Sequence, residues 1–190
     1  HSKAVAIYAR DIAERMSLSP DVQERAYLCG LVHDIGKVGL PASLLLKDGP
    51  LTLEERRLMQ EHPAIGESIL NKVDLYADVA LVVRHHHERV DGEGYPDKLS
   101  DDEIPSLSKI IAVADAYNAM TSNRSYRDAM PTRVARLRLA QAVESQFDTS
   151  VVAAFEAMLA GAAEDYRTAK RSAFEPNYSA DAVAAVEGGL

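Results

Sequence analysis

The chain is poor in cysteine, in long apolar runs and in positive charge. Cys29 is the only cysteine among 190 residues, so no disulfide can form within the chain and a reducing compartment is expected. No apolar run comes near the length that crosses a membrane, and we recognise no signal peptide. These absences together predict a cytoplasmic protein without a membrane segment.

The charge balance argues against one broad class of partner. The chain has 21 basic and 29 acidic residues and a formal net charge of -8. Domains that bind nucleic-acid polymers usually present net positive surface, so no such polymer is expected as a partner. An acidic chain can still bind a phosphate ester if metal ions and a few arginines make the site locally positive.

Helical periodicity dominates the sequence. Apolar residues recur at intervals of three and four, whereas no convincing pair of strands is present. Thr52 followed by Glu55 matches a capping box and predicts a helix start. We therefore expect an all-α, single-domain helical bundle with a metal site at its centre over residues 1–162, and a tail or peripheral helix over 163–190. Predicted helices include Pro20 to about Gly36, Ala64–Lys72, Tyr76–His87, Pro105–Thr121, Thr132–Gln146 and Ser150–Ala160.

Three consecutive histidines end one of these helices, and the helix periodicity separates them. The valine face of Tyr76–His87 continues into His86 and His87. His85 points away from that face and is expected nearer the surface. The periodicity thus predicts that His86 and His87 point inward and that His85 is not part of a site.

Imidazole and carboxylate groups also fall on the apolar faces of other predicted helices. Such groups are costly to bury unless they are paired or bind a metal. One core histidine alone is more often structural than a ligand, but several on separate helices can converge on the centre of a bundle. For His62 the placement is weaker, because Pro63 is expected to interrupt the helix there. The full set is His1, His33, His62, His86 and His87, with Asp34 and Asp115.

This set of donors predicts the kind of metal site. Imidazole and carboxylate without thiolate suit iron, manganese, zinc or nickel rather than a cysteine-type structural zinc site. Seven groups exceed the ligands of one tetrahedral ion, so at least two ions are expected. Asp34, directly after His33, offers a carboxylate able to bridge them.

The order of these residues resembles a known family. The segment HDIGK at 33–37 is similar to the HD signature of metal-dependent phosphohydrolases. The segment HHERVDGEGYP at 86–96, with His62 before it and Asp115 after it, resembles the HD-GYP domain. The resemblance extends from His1 to about Phe155, and the long motif in this order is far more specific than the HD pair alone. It implies a bacterial phosphodiesterase that hydrolyses cyclic di-GMP.

The resemblance implies that all seven groups are metal ligands. Two divalent ions are expected, with iron or manganese favoured and zinc or nickel as alternatives. Some members of the family bind a third ion through a glutamate about one helical turn before the first histidine. That position would precede His1, so the choice between two and three ions stays open.

The resemblance also implies roles in phosphodiester hydrolysis. The expected catalytic residues are Asp34, which bridges the ions, and Lys37, which contacts the phosphate or the leaving oxygen. Taken alone, Lys37 would instead offset carbonyls at a helix C-terminus. Glycines let the main chain approach a ligand closely, and a tyrosine offers its ring to a purine. The expected substrate-binding residues are Gly94, Tyr95, Asn118, Arg124 and Arg127. The family usually has aspartate at the position of Asn118 and proline at that of Ser125.

Three functions are compatible with these motifs. The first is an active cyclic di-GMP phosphodiesterase that yields linear pGpG and, on a second cut, GMP. The second is a metal-bound sensor that binds the dinucleotide with poor turnover, and the third is an HD phosphohydrolase of another nucleotide, such as a deoxynucleoside triphosphate. The complete ligand set favours the first, and the GYP motif argues against the third. The family also suggests an upstream sensory or receiver domain, and a homodimer is left open.

Overall fold

The computed structural model describes residues 1–123, 128–168 and 170–174, and its ordered elements there are helices. The all-α prediction is confirmed, since no β-strand occurs within these ranges. None of the helices described is long and apolar enough to cross a membrane. The α-helices are α1 (Ser2–Arg15), α2 (Pro20–Val32), α3 (Ala42–Leu45), α4 (Leu53–Met59), α5 (His62–Leu70), α6 (Ala77–His85), α7 (Ser106–Thr121), α8 (Thr132–Gln141), α9 (Thr149–Gly161) and α10 (Glu164–Arg167). Short 3-10 helices lie at Ile35–Gly39, Asp74–Tyr76, Asp101–Glu103 and Arg171–Phe174.

Local sequence signals set the starts of two helices near the site. The Thr52 hydroxyl accepts the Glu55 backbone N–H at 3.2 Å, and the Glu55 carboxylate accepts the Thr52 backbone N–H at 2.7 Å. The predicted capping box is therefore present at the start of α4. The helical run is interrupted just before Pro63, as expected, since α4 ends at Met59 and α5 begins at His62. A proline is tolerated in the first turn because its missing N–H would have no helical partner there.

Helix α2 ends earlier than its periodicity suggested. It stops at Val32 instead of near Gly36, because the chain tightens into the 3-10 helix Ile35–Gly39. Gly36 then packs directly on the start of α5, where an added Cβ would lie 1.9 Å from the carbonyl oxygen of His62. Only glycine allows this approach of the two backbones, which brings the end of α2 to the start of α5.

Helices α6 and α8 also end early, at His85 and Gln141. After α6 the backbone N–H of Glu88 still donates to the His85 carbonyl at 3.0 Å. The chain then reverses, and the N–H of Tyr95 donates to the His87 carbonyl at 3.3 Å. The predicted end of α6 at His87 was wrong because this returning loop takes over the last backbone acceptors.

The core forms around α1, which packs against α2, α7 and α9. Tyr8 is fully buried, with its ring centroid 5.7 Å from that of Tyr117 and 5.5 Å from that of Phe155. Gly30 allows α1 and α2 to touch, because an added Cβ would lie 2.5 Å from the Cα of Ala6. This packing brings the start of α1 beside the end of α2.

The stretch predicted as a tail or peripheral helix is described over residues 163–168 and 170–174. The Tyr8 hydroxyl donates to the Tyr166 carbonyl at 2.5 Å, and the Tyr117 hydroxyl donates to the Arg167 carbonyl at 2.8 Å. Phe174 is buried, with its ring centroid 5.3 Å from that of Tyr8. These residues pack on the core, while the proposed boundary after residue 162 stays a prediction.

Candidate active site

The seven predicted ligands converge in the folded chain as two groups of three joined by one carboxylate. The ligand atoms of His62, His86 and His87 lie within 4.8 Å of one another. Those of His1, His33 and Asp115 do the same. With Asp34, these residues are called the His/Asp cluster below. Residues up to 114 positions apart in the chain thus meet because the ends of α2 and α6, the starts of α1 and α5, and the middle of α7 adjoin one another.

Asp34 lies between the two groups and offers one oxygen to each. Its Oδ1 is 3.3 Å from Nε2 of His62. Its Oδ2 is 3.4 Å from Nε2 of His33 and 3.7 Å from Nε2 of His1. A carboxylate placed in this way can bridge two ions, one in each group.

Three histidine rings are anchored by the backbone carbonyl three residues earlier in the chain. Nδ1 lies 2.8 Å from the Gly30 carbonyl in His33, and 2.6 Å from the Val83 carbonyl in His86. Nδ1 of His62 lies 2.7 Å from the carbonyl of Met59, again three residues earlier. A carbonyl accepts only from a protonated Nδ1, so each of these rings turns its Nε2 toward the cluster, and the neutral form of such a ring carries its lone pair there.

His1 is anchored differently, by a side chain distant in the sequence. Its Nδ1 lies 2.7 Å from Oδ1 of Asn118, which is 1% exposed. Its Nε2 lies 3.3 Å from Oδ1 of Asp115. The structure therefore places Asn118, which the resemblance assigned to substrate binding, against the back of a predicted ligand.

The two carboxylates of the cluster are held ionised. Burial alone would raise the pKa of Asp34, but the hydrogen bond from His62 and the charge of Lys37 outweigh it and hold that pKa well below its usual range. Burial likewise opposes ionisation of Asp115, and the hydrogen bond from His1 again lowers the pKa. Both groups are therefore carboxylates at neutral pH.

Two adjacent histidines, His86 and His87, are held neutral. Burial and then the charge of neighbouring His87 lower the pKa of His86 well below its ordinary value. Burial also lowers the pKa of His87 to about 4. By contrast, the hydrogen bond to Asp115 raises the pKa of His1 despite the opposing effect of burial. Neutral imidazole is the form that binds a metal.

These properties fit divalent transition-metal ions. His33 is 1% exposed, yet its Nε2 makes no hydrogen bond to any residue that the structure describes. A buried nitrogen left without a partner is costly, and coordination would satisfy it. Nitrogen and carboxylate donors with the second ring nitrogens already bound to carbonyls are typical of catalytic metal sites.

The other predicted site residues lie next to the cluster where they are described. Nζ of Lys37 donates to Oδ2 of Asp34 at 2.6 Å. The ring of Tyr95 stacks on that of His87, with centroids 4.8 Å apart and planes at 28°. Arg124 and Arg127 fall outside the described residues, so their predicted contacts to substrate have no structural account.

The turn that carries Tyr95 packs tightly against the chain leading into it. A Cβ on Gly94 would lie 2.5 Å from both the Cα of Glu88 and the backbone nitrogen of Arg89. Gly92 adopts a positive φ of 76°, which a side chain would disfavour. The glycines therefore let this loop fold back until Tyr95 reaches His87 of the His/Asp cluster.

A second polar group, here called the turn clamp, fixes the same loop. The Glu88 carboxylate is buried and accepts the backbone N–H of Asp97 at 2.7 Å and that of Leu99 at 3.1 Å. Arg84 donates to both oxygens of Asp97, at 2.6 and 2.8 Å. His85 lies 2.9 Å from Asp97 through its Nε2. The turn clamp comprises Arg84, His85, Glu88 and Asp97.

The expectation that His85 lies nearer the surface was wrong. His85 is 6% exposed, because the returning loop covers it and supplies Asp97 as a partner. Its side chain nevertheless belongs to the turn clamp and not to the His/Asp cluster. Sequence reasoning also missed Glu88 as an anchor, since its partners are backbone groups that leave no pattern in the sequence.

Most of the chain matches a known protein family. A sequence profile described as the HD domain matches residues 1–151. The chain belongs to the HD domain family. The resemblance found from the HDIGK and GYP motifs is confirmed.

Several characterised relatives share this sequence over part of their length. A cyclic di-GMP phosphodiesterase of Thermotoga maritima is 38% identical over 160 residues, which are 82% of this chain and 43% of that protein. A 3'3'-cGAMP-specific phosphodiesterase of Vibrio cholerae is 36% identical over 161 residues, or 84% of this chain and 35% of that protein. The cyclic di-GMP phosphodiesterase response regulator RpfG of Xanthomonas campestris is 41% identical over 120 residues, which are 62% of this chain and 32% of that protein. The chain thus spans less than half the length of each of these relatives.

Solved structures share the fold at lower identity. The protein Bd1817 of Bdellovibrio bacteriovorus superposes with a TM-score of 0.70 at 19% identity, over 85% of this chain and 52% of that one. A cyclic GMP-AMP-specific phosphodiesterase of V. cholerae superposes with a TM-score of 0.66 at 17% identity, over 89% of this chain and 47% of that one. At this identity the likeness shows the helical fold alone.

Proposed function

We propose that this chain is the catalytic domain of a metal-dependent phosphodiesterase that hydrolyses cyclic di-GMP to linear pGpG and, on a second cut, to GMP. The observation that carries the proposal is Asp34, whose two oxygens face two separate groups of ligands. A pair of ions sharing one carboxylate suits the hydrolysis of a phosphodiester. Relatives named as cyclic di-GMP phosphodiesterases, at 38 and 41% identity, support the choice of substrate.

The proposed metal content is two ions, each held by one group of the cluster with one oxygen of Asp34. Iron or manganese is favoured, with zinc or nickel as alternatives, because imidazole and carboxylate donors serve all four. When bound, such ions lower the pKa of water and offset negative charge on the phosphate. The carbonyl-anchored rings of His33, His62 and His86 hold their Nε2 atoms in place for this purpose.

The surrounding residues have separate proposed tasks. Lys37, 2.6 Å from Asp34, adds positive charge at the edge of the cluster and contacts the phosphate or the leaving oxygen. Tyr95 presents its ring to a nucleobase beside His87. Asn118 orients His1 through its side-chain oxygen. Arg124 and Arg127 remain proposed substrate contacts.

A direct assay tests the proposal. Protein prepared without oxygen and loaded with manganese or iron is incubated with cyclic di-GMP, and the products are separated by chromatography. We expect pGpG to appear, with GMP following. Absence of product with every metal overturns the enzyme proposal. Binding without product would instead support a sensor, and cleavage of deoxynucleoside triphosphates alone would support another HD phosphohydrolase.

A second candidate substrate is 3'3'-cGAMP. It is favoured by the V. cholerae relative named for that substrate, which is 36% identical over 161 residues. The two cyclic dinucleotides differ in one nucleobase, so parallel measurements of kcat/KM with each decide between them. An accompanying sensory or receiver domain, a homodimer and a cytoplasmic location stay predictions.

A further inference from the structure

Beside the His/Asp cluster lies a cavity to which none of the roles above is assigned. It has a volume of about 740 Å³ and is enclosed by α3, α4 and the loop between them. Its walls include the apolar side chains of Leu44, Leu45 and Leu51, and the cations Lys47 and Arg56. Pockets that bind small molecules commonly measure roughly 300–1,000 Å³, so the size suits a nucleotide.

The cavity adjoins the cluster through two residues. Lys37 lines the cavity and donates to Oδ2 of Asp34 at 2.6 Å. Met59 also lines it, and its carbonyl oxygen lies 2.7 Å from Nδ1 of His62. A ligand with a phosphate at the cluster would therefore enter the cavity beside Lys37.

The turn that carries Tyr95 lies on the side of the cluster away from Lys37. Tyr95 stacks on His87, His87 contacts the ring of His62, and Nε2 of His62 lies 3.3 Å from Oδ1 of Asp34. Contacts thus run in order from Tyr95 through the cluster to Lys37 and the cavity. A ligand with a nucleobase on each side of a phosphate matches this order.

The charge of the cavity suits an anionic or guanine-bearing ligand. No acidic side chain lines it among the described residues. Lys47 is paired with Glu55 at 2.5 Å, but Arg56 has no carboxylate partner within the described ranges. The Nε of Arg56 donates only to the Leu51 carbonyl, at 3.3 Å, which leaves the rest of its guanidinium for a ligand. A guanidinium can bind a phosphate, or O6 and N7 of a guanine, with two hydrogen bonds.

We propose that this cavity is a second nucleotide subsite, which takes the half of a cyclic dinucleotide that does not lie on Tyr95. The inference rests on the proposed function of the cluster. The apolar wall at Leu45 covers a face of the purine, and Arg56 binds its edge or the second phosphate. The site would therefore distinguish a cyclic dinucleotide from a simple phosphodiester through contacts distant from the scissile bond.

Two substitutions with matched controls test the subsite. Arg56→Ala removes the unpaired cation, and Leu45→Glu adds a carboxylate to the wall at a position that is 42% exposed and so tolerates a charge. Arg57→Ala and Leu53→Glu are the controls, since both residues are exposed on α4 and neither lines the cavity. The readouts are KM for cyclic di-GMP, Kd for its hydrolysis-resistant phosphorothioate analogue, and metal content.

We expect Arg56→Ala to raise both KM and Kd about tenfold, the effect of losing a charge-assisted pair of hydrogen bonds. Leu45→Glu should raise them further, while both controls stay within about twofold of the parent and all four variants keep the parent's metal content. If the parent cleaves or binds the dinucleotide and the cavity variants match their controls, the subsite is refuted and the proposed function stands. If the metal-loaded parent neither binds nor cleaves it, both proposals fail.

Discussion

Two groups of histidine and carboxylate side chains meet at the end of α6, the turn clamp and the His/Asp cluster. They differ in the hydrogen bonds that they make within the protein. In the turn clamp, Glu88 binds two backbone N–H groups and Asp97 binds Arg84 and His85. In the His/Asp cluster, Nε2 of His33 is buried without a hydrogen bond to any described residue. The turn clamp brings one set of three possible ligand atoms together, and the His/Asp cluster brings two such sets together. Nδ1 of His85 in the turn clamp is also buried without such a bond, so one unbonded nitrogen alone does not separate the two groups. What separates them is that three rings of the cluster bind carbonyls through Nδ1 and turn Nε2 toward the cluster, whereas Nε2 of His85 is already bound to Asp97.

The largest effect is expected at Asp34, which serves both halves of the cluster. Asp34→Asn should lower kcat/KM about a thousandfold and reduce bound metal, because the amide loses one oxygen donor and the negative charge. Hydrolysis assays and metal analysis by mass spectrometry measure the two changes. Asp97→Asn in the turn clamp is the control and should keep the metal. Full metal retention in Asp34→Asn would contradict the bridging role.

Adjacent histidines offer the sharpest test of the comparison. His87→Ala should empty part of the cluster and lower kcat/KM, though by less than Asp34→Asn does, because it removes a ligand of one group only. His85→Ala should keep the metal, since Arg84 continues to hold Asp97 through both oxygens. Metal content and a thermal melt of each variant are the measurements. Loss of metal in His85→Ala, without unfolding, would remove the distinction between the two groups.

The pH dependence of the metal-free protein tests the buried, neutral histidines. The pKa of His87 is about 4 in the folded protein and about 6.5 in an unfolded chain. The unfolded state therefore binds more protons between these values, so stability falls as pH drops from about 6.5 to about 4. His86 acts in the same direction, while His1, with a raised pKa, opposes it.

For His87 alone the expected loss is about 2 kcal/mol at pH 5 relative to pH 8. Urea unfolding at a series of pH values measures it in protein freed of metal by a chelator. His87→Gln cannot be protonated and should flatten the curve over this window. An equally steep curve for this variant would show that His87 is not held neutral.

The smallest effect is expected from Glu88 in the turn clamp. Glu88→Gln replaces one of two acceptor oxygens with an N–H₂ group that faces a backbone donor, so the loop should loosen and Tyr95 should shift. We expect KM to rise about tenfold with unchanged metal content. Glu93→Gln, at an exposed position of the same turn, is the control. A fall in metal content would mean that the clamp and the cluster are one unit.

Much of this arrangement follows from local sequence patterns. Helix periodicity selected His86 and His87 over His85, and the capping box at Thr52 was confirmed. Both depend on neighbours within a turn or two of helix, where spacing alone fixes which side chains share a face. The all-α class follows from the same periodicity.

Other features depend on residues that meet only in the folded chain. The contact of Asn118 with His1 spans 117 residues, and the burial of His85 depends on a loop that returns after α6. The end of α2 was missed where the chain passes into a 3-10 helix and Gly36 packs against His62. No periodic pattern records these contacts, because they are set by how the elements pack.

The carbonyl anchors of His33, His62 and His86 have a consequence for how the site acquires its ions. Each ring is oriented by the carbonyl three residues earlier, so its direction is established by local backbone structure. The entropy lost in aligning these donors is then a cost of folding and not of metal uptake. We therefore expect the site to keep its shape when one bound ion is replaced by another.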